Sequence, residues 1–294
     1  MFIPCKYPLA LVLSPLELIL QLPLMKFILA FIWTCFIFQT NGQSSFEICS
    51  WNIANFGKSK TPDEIKFIAA TIKNYDVVAI VEVVAGKGGP EAVEALKKEL
   101  NKSGNKWDYE LSAPTTSTMN GSERYAVFWK IAKLKRFGSA GLEKVFKKQI
   151  DREPFLVGFK VPDGQTFTVA AFHAVPTNKN PAKEIKLLQK IPAVYPQKNI
   201  IFCGDFNLTG TDEAYDPIKS KGYETVFVDQ KTSLKQECND DDCLASVYDN
   251  FLYRPLKQEP LRSGVIKFYE EFRDYKKARK LSDHIPVFAK FNLN

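Results

Sequence analysis

Seven polar residues each stand at or just past the end of an apolar run: Asn52, Glu82, His173, Asp205, Asn207, Asp283 and His284. His173 and His284 are the only two histidines in the 294-residue chain, so imidazole chemistry near neutral pH rests on them. The set is organised around Ile200-Ile201-Phe202-Cys203-Gly204-Asp205-Phe206-Asn207. Such an apolar run reads as a buried strand, and Gly204 permits a tight exit or a close backbone approach. Alternate residues of an extended chain share a side, so Asp205 and Asn207 are expected to project together, one charged and one neutral oxygen donor. Hard cations such as Mg2+ take that kind of oxygen; the bland alternative is a polar strand-to-loop turn. Glu82 is the single charge in Val77–Val84, a costly placement unless the carboxylate is paired or metal-bound. Metal-assisted attack on a phosphate needs charge neutralised on the phosphoryl oxygens, an activated water and a protonated leaving group. The set contains a candidate for each task.

The elements that must position these residues follow from pattern. Phe46–Asn52 is the first strand of the main domain. Thr61-Pro62-Asp63-Glu64 is a capping box with Pro at the first helical position, and Ile65, Ile68, Ala69 and Ile72 then recur at helical spacing. Strands are predicted over Val77–Val84, Glu123–Trp129, Phe155–Val161 and Phe167–Phe172, with Ser246–Phe251 carrying Asp249 and Ser282–Pro286 opening the last strand. Gly86, Gly88 and Gly89 follow no phosphate-loop spacing and read as a turn before a helix over Pro90–Leu100. A further helix is predicted over Pro181–Ile191, and the basic run Lys276–Lys280 reads as a solvated helix face. Strands that alternate with only three or four helices predict an α/β fold in which two β-sheets form a sandwich flanked by helices.

Residues 1–43 form a separate leader. Met25-Lys26, the apolar run Phe27–Phe38 and the polar exit Gln39–Gln43 have the order of a secretory signal peptide, and the apolar part is short for a membrane span. Translation from Met25 is expected, with cleavage leaving residues 44–294 as one catalytic domain, secreted or periplasmic and with no stable membrane association. The formal charge of +7 favours anionic partners without identifying them. In an oxidising compartment Cys238 and Cys243 bracket a polar loop that a short disulfide can close, whereas Cys49 and Cys203 lie in apolar strands as small buried hydrophobes.

Taken in order, Trp51-Asn52-Ile53, Glu82-Val83, Glu123-Arg124-Tyr125, Arg152-Glu153-Pro154, His173-Ala174-Val175-Pro176, Gly204-Asp205-Phe206-Asn207, Tyr248-Asp249 and Ser282-Asp283-His284-Ile285-Pro286 resemble the endonuclease/exonuclease/phosphatase superfamily over residues 46–292. Within it they look most like secreted deoxyribonucleases of the pancreatic type and their bacterial relatives. The resemblance implies a four-layered sandwich of two mainly antiparallel sheets flanked by helices, acting as a monomer, with the site at one edge. It implies that Glu82 and Asn52 hold a divalent cation, Mg2+ or alternatively Mn2+, with calcium use left open. Asp205, Asn207 and Asp283 would orient the phosphate or hold a second ion. His173 would pair with Glu123 and His284 with Asp249, each carboxylate fixing its imidazole's tautomer. Arg152 would grip a backbone phosphate, and Tyr125 would lie against the substrate. Three departures stand out: Val81 where the family has Gln, Val84 where pancreatic-type enzymes carry an Arg for the minor groove, and Gly121 where they carry a Tyr. A weakened preference for duplex DNA is therefore expected.

The reading that unites these features is a secreted, metal-dependent endonuclease that hydrolyses DNA phosphodiesters, with RNA as a further substrate. A phosphodiesterase or phosphatase acting on a small or lipid substrate is the alternative, distinguished by weak salt dependence. A non-enzymatic exported scaffold would require loss of a catalytic residue, and the set is intact.

Overall fold

The computed structural model describes residues 45–117, 121–195, 199–239, 242–255 and 260–293. The expected leader, including Met25, lies outside them, as do Asp240 and Asp241 of the polar loop. Ser44–Asn294 forms one compact unit.

Two sheets carry the fold. The first contains β1 (Ser45–Phe56), β2 (Val77–Val84), β3 (Trp107–Leu111), β4 (Glu123–Lys130), β14 (Arg262–Val265) and β15 (Val287–Asn292), in the order β14-β15-β1-β2-β4-β3. The second contains β5 (Lys135–Arg136), β7 (Phe155–Lys160), β8 (Thr166–His173), β9 (Ile200–Asp205), β10 (Glu224–Thr225) and β13 (Asp249–Tyr253), ordered β10-β13-β9-β8-β7-β5, with β6 (Gly141–Leu142) also on β7. A hairpin of β11 (Leu234–Asn239) and β12 (Asp242–Leu244) stands apart. Within the two sheets, β1–β2 and β8–β9 are parallel, and the other pairings are antiparallel.

Alternation of side chains along the strands separates three apolar layers. Ile48, Val77, Ala79, Tyr125, Val127, Val157, Val169 and Phe251 face inward between the sheets. Trp51, Ile80 and Phe128 face outward beneath helices α1 (Pro62–Ile72) and α2 (Gly88–Asn101). On the other side Phe172 and Phe202 lie beneath α3 (Ala182–Leu188), α4 (Ile191–Val194) and α5 (Asp216–Lys219). The result is helix, sheet, sheet, helix, the expected four layers. The predicted capping box is present, with Thr61 accepting from Glu64 N at 3.3 Å and Glu64 accepting from Thr61 N at 2.7 Å.

Two predicted elements are corrected. Ser246–Tyr248 is not strand: Thr232 N donates to Ser246 O (2.7 Å) and Tyr248 N donates to Thr232 Oγ1 (3.1 Å), which draws the segment out of the sheet. The helix expected over Pro181–Ile191 stops at Leu188 and a separate turn starts at Ile191; Pro192 has no N–H to continue the ladder. The basic run Lys276–Lys280 lies on helix α6 (Tyr275–Leu281), with Lys276, Lys277 and Lys280 exposed.

Candidate active site

The site lies where both sheets present the same end. β1, β2, β8 and β9 arrive there with Asn52, Glu82, His173 and Asp205, while antiparallel β4 and β13 depart from it with Glu123 and Asp249. His284 lies just before β15, anchored by Trp51 Nε1 donating to its carbonyl (2.8 Å) and by its own N–H donating to Ser282 Oγ (3.0 Å).

Local backbone irregularities aim the side chains. The β1–β2 and β2–β4 registers both slip around Glu82, and Glu82 itself has φ 62°. A bulge of this kind reverses the alternation: Val81 faces the inter-sheet core and Val83 the outer one. A left-handed Glu carries a backbone strain of about 1–3 kcal/mol. It persists because the carboxylate is held, Oε1 accepting from Asn52 Nδ2 (3.1 Å) and Oε2 from Asn55 N (3.2 Å). Gly204 is required by close approach, since a Cβ there would lie 1.9 Å from the Phe172 carbonyl oxygen of the neighbouring parallel strand.

Asp205 is the hub and is 1 % exposed. Its Oδ2 accepts from Asn52 Nδ2 at 3.1 Å and lies 3.5 Å from Nε2 of both His173 and His284. Each imidazole is held from behind by a second carboxylate: His173 Nδ1 lies 3.0 Å from Glu123 Oε1, and His284 Nδ1 lies 2.6 Å from Asp249 Oδ2. Both pairs reach across the sandwich. Glu123 belongs to the first sheet and His173 to the second, whereas Asp249 belongs to the second and His284 leads into the first.

The electrostatics follow from burial and pairing. Burial opposes charge on His173, yet the Glu123 and Asp205 carboxylates raise its pKa above the ordinary imidazole value against the nearby Arg152. Burial likewise opposes charge on His284, but Asp249 and Asp205 raise it well above that value. For Glu123 burial alone would favour the neutral acid; His173 and Arg152 overcome it and hold the carboxyl below the usual range. Burial is overcome in the same way at Asp205, chiefly by His284 and His173, and its pKa falls too. Asp249 is raised by burial, which His284 only partly offsets.

The remaining expected residues are placed differently. Asn207 does not continue an extended strand beside Asp205. It sits at φ 51°, with its N–H donating to Asp205 Oδ1 (2.8 Å) and its Nδ2 to Ala174 O (3.1 Å). Arg152, expected on a substrate phosphate, is 5 % exposed and turned inward: Nη1 donates to Glu123 Oε2 (3.1 Å) and Nη2 to Ala174 O (2.5 Å). Its guanidinium supports Glu123 instead. Tyr125, expected against substrate, is fully buried between the sheets, its hydroxyl donating to Arg152 O at 3.4 Å. It shares a side with Glu123 but lies one pleat deeper, out of substrate reach. Asp283 lies at the rim, half-exposed, 4.0 Å from Arg279 Nη2, and no described hydrogen bond joins it to Glu82 or Asn52.

Several supports have no signal in the sequence. Thr232, fully buried, donates from Oγ1 to Asp249 Oδ2 (2.8 Å). Glu184 accepts from Asp151 N (2.6 Å) and Val175 N (2.8 Å), tying the Arg152 and His173 segments together. Tyr248 stacks on His284 with ring centroids 6.3 Å apart. Lys60 donates to Leu281 O (2.7 Å); burial lowers its pKa, against the pull of Glu64, Glu82 and Asp283. Of these only Tyr248, in Tyr248-Asp249, falls in a motif read from the sequence. Cys238 and Cys243 are disulfide-bonded, with Cα atoms 4.3 Å apart, and Cys49 and Cys203 are buried free thiols.

Among the described residues, no three His, Cys, Asp or Glu side chains converge as a ready-made ion cage. The donor chemistry nevertheless fits a hard cation. Asn52 bridges two carboxylates, Glu82 and Asp205, while its own Oδ1 is buried without a partner. One carboxylate, one amide oxygen and several solvent or substrate oxygens is the kind of set Mg2+ accepts, because it keeps much of its water.

A helix-clad double sheet with imidazole–carboxylate pairs at one mouth has the groups that hydrolysis of a phosphate ester requires. The Endonuclease/Exonuclease/phosphatase family pattern matches residues 49–284, and the chain belongs to that family. It is 26% identical over 283 residues to deoxyribonuclease gamma of Rattus norvegicus, covering 86% of each chain. It is 27% identical over 272 residues to the Homo sapiens enzyme of the same name, covering 83% of this chain and 85% of that one. An endonuclease/exonuclease/phosphatase family protein from Bacteroides thetaiotaomicron superposes with TM-score 0.61 at 19% identity, over 86% of this chain and 99% of that one. D. rerio TDP2 complexed with single-strand DNA product gives 0.61 at 17%, over 85% and 99%. A mannosyl-6-phosphatase of B. thetaiotaomicron gives 0.59 at 19%, over 83% and 98%. At these identities the structures report a shared fold.

Proposed function

We propose that the chain is an exported, divalent-cation-dependent endonuclease that hydrolyses phosphodiester bonds of DNA, with RNA as a further substrate. The observation that carries this reading is the convergence of both imidazole Nε2 atoms on Asp205 Oδ2, each 3.5 Å away. Each ring's far nitrogen is committed to its own carboxylate, so the tautomer is fixed and Nε2 is the working atom. An imidazole that starts neutral can take a proton from water, and one that starts protonated can give a proton to the leaving oxygen. Asp205 holds both rings toward one point, and Arg152 keeps Glu123 charged behind His173. The Asn207 amide is pinned at Ala174 O, beside the position a phosphoryl oxygen would take. A cation held by Glu82 and the Asn52 amide oxygen would neutralise phosphoryl charge. The two deoxyribonucleases gamma support DNA as the substrate, and Val84 in place of a groove-reading side chain supports weak preference for duplex.

The test is plasmid nicking by the 44–294 domain with Mg2+, with EDTA, and as His173→Ala and His284→Ala. Activity should be abolished by EDTA and fall by more than about a hundredfold in each variant, in the range of acid–base contributions. Cleavage of duplex more than about tenfold faster than matched single strand, a loss readable as transition-state energy, would refute the weakened duplex preference. A wild type that leaves DNA intact but hydrolyses a bis-aryl phosphodiester would transfer the same machinery to a small substrate.

A further inference from the structure

Beside the catalytic mouth lies a second cavity of about 400 Å³ whose lining includes Lys147, Lys148, Lys179 and Lys183. All four are exposed, and among the described residues none is in an ion pair; on the same helix Lys186 lies 3.8 Å from Glu213. Two carboxylates, Glu184 and Asp151, also line the cavity. Glu184 is 4 % exposed and accepts from Asp151 N and Val175 N, and Asp151 accepts from Ser117 Oγ at 2.6 Å. Four exposed cations therefore face two carboxylates, of which only Asp151 is accessible.

The position is equally informative. Val175 lines the cavity two residues beyond His173, about 7 Å along an extended chain. Asp151 precedes Arg152, and the Ala174 carbonyl between the cavity and His173 is the acceptor for both Arg152 and Asn207. The cavity is thus built from the same peptides that fix the catalytic groups.

Resting on the nuclease reading, we propose that this lysine-lined cavity seats the backbone phosphates of the polynucleotide strand next to the scissile bond. A set of unpaired ammonium groups grips phosphates without reading bases, so the seat would confer a preference for polymeric over small phosphodiesters and no sequence preference.

The test is fluorescence-anisotropy binding of a labelled oligothymidylate to the EDTA-treated 44–294 domain across a salt series. The variant carries Lys147→Gln, Lys148→Gln, Lys179→Gln and Lys183→Gln together. A control with three charges removed carries Lys133→Gln, Lys135→Gln and Lys160→Gln, which line a different basic cavity at the far ends of β4 and β7, away from Glu123 and Arg152. The quadruple variant should bind at least about tenfold more weakly, and its salt slope should fall by roughly 2–3, at about 0.7 per single-strand phosphate contact. The control should shift by less than about twofold, as expected for remote charges that are screened. Equal weakening in the control, or an unchanged dissociation constant and slope in the quadruple variant, overturns the seat. If the wild type nicks plasmid while the four lysines change nothing, the nuclease reading stands and the seat falls. Wild type that binds oligonucleotide through these lysines without nicking leaves the seat standing and overturns the nuclease reading. Wild type that neither nicks nor binds removes both.

Discussion

Thr232→Val replaces a hydroxyl by a methyl at a fully buried position and isolates the support of His284. Thr232 Oγ1 donates to Asp249 Oδ2 at 2.8 Å and accepts from Asp249 N at 2.9 Å and Tyr248 N at 3.1 Å. Asp249 Oδ1 has no partner, so Oδ2 carries every bond of that carboxylate. Removing a hydrogen bond to a charged group and leaving two backbone donors without their acceptor should cost about 4 kcal/mol in total. For a domain of this size that is a fall of roughly 8–16 °C in Tm. With only His284 left to stabilise it, the Asp249 carboxylate orients the imidazole less firmly, and kcat should fall about 10–100-fold, as when the outer partner of a histidine is lost. Calorimetry and plasmid nicking under Mg2+ read the two effects separately. Thr232→Ser retains the oxygen and should lose only the value of a buried methyl, about 1 kcal/mol, with kcat near wild type. A valine variant that melts within about 2 °C of wild type and nicks at the same rate would refute the reasoning, because the predicted cost is several times larger.

Tyr125→Phe removes a hydroxyl that donates to Arg152 O over a long 3.4 Å; stability should change by about 1 kcal/mol and KM for DNA should not move, whereas a rise in KM would return Tyr125 to the substrate. In EDTA, thermal stability should be greatest between about pH 4 and pH 6.5. The depressed carboxyls Glu123 and Asp205 contribute above their unfolded values and lose that contribution as pH falls. The raised His173 and His284 contribute below their unfolded value and lose it as pH rises, and raised Asp249 trims stability as pH climbs from the acid side. Melting temperatures that keep rising from pH 6.5 to 8.5 would contradict this, since imidazole release then stabilises. Cys238→Ser with Cys243→Ser opens a loop of sequence separation 5 and should cost about 2 kcal/mol by chain entropy, measured by urea unfolding with and without reductant.

Much of this site was legible because strands advertise their exceptions. One Glu in Val77–Val84 and one Asp closing Ile200–Asp205 stand out against apolar neighbours, and two histidines in the whole chain left few assignments open. The layers were legible through the pattern of strands and helices. Depth was not. Period-two alternation places Tyr125 on the side of Glu123 but cannot say that it lies deeper, and Arg152 looks like any surface arginine until Glu123 folds onto it. Thr232 acts from a loop, on a partner 17 residues away, where no periodicity operates. Asn207 was picked out but its orientation was not, because a left-handed turn, not an extended strand, follows Asp205.

The way the two pairs reach across the sandwich has a wider consequence. Glu123–His173 and Asp249–His284 are stitches over the seam between the sheets, and Asn52–Asp205 is a third. A slip of one sheet along the other by about an ångström would change all three at once while leaving each sheet's own ladder untouched. Activity is therefore a gauge of sheet registry. Residues that set it at a distance, such as Phe46 and Phe167, stacked 3.8 Å apart between the sheets, should then affect turnover without approaching the substrate, and heating should silence the protein before either sheet melts.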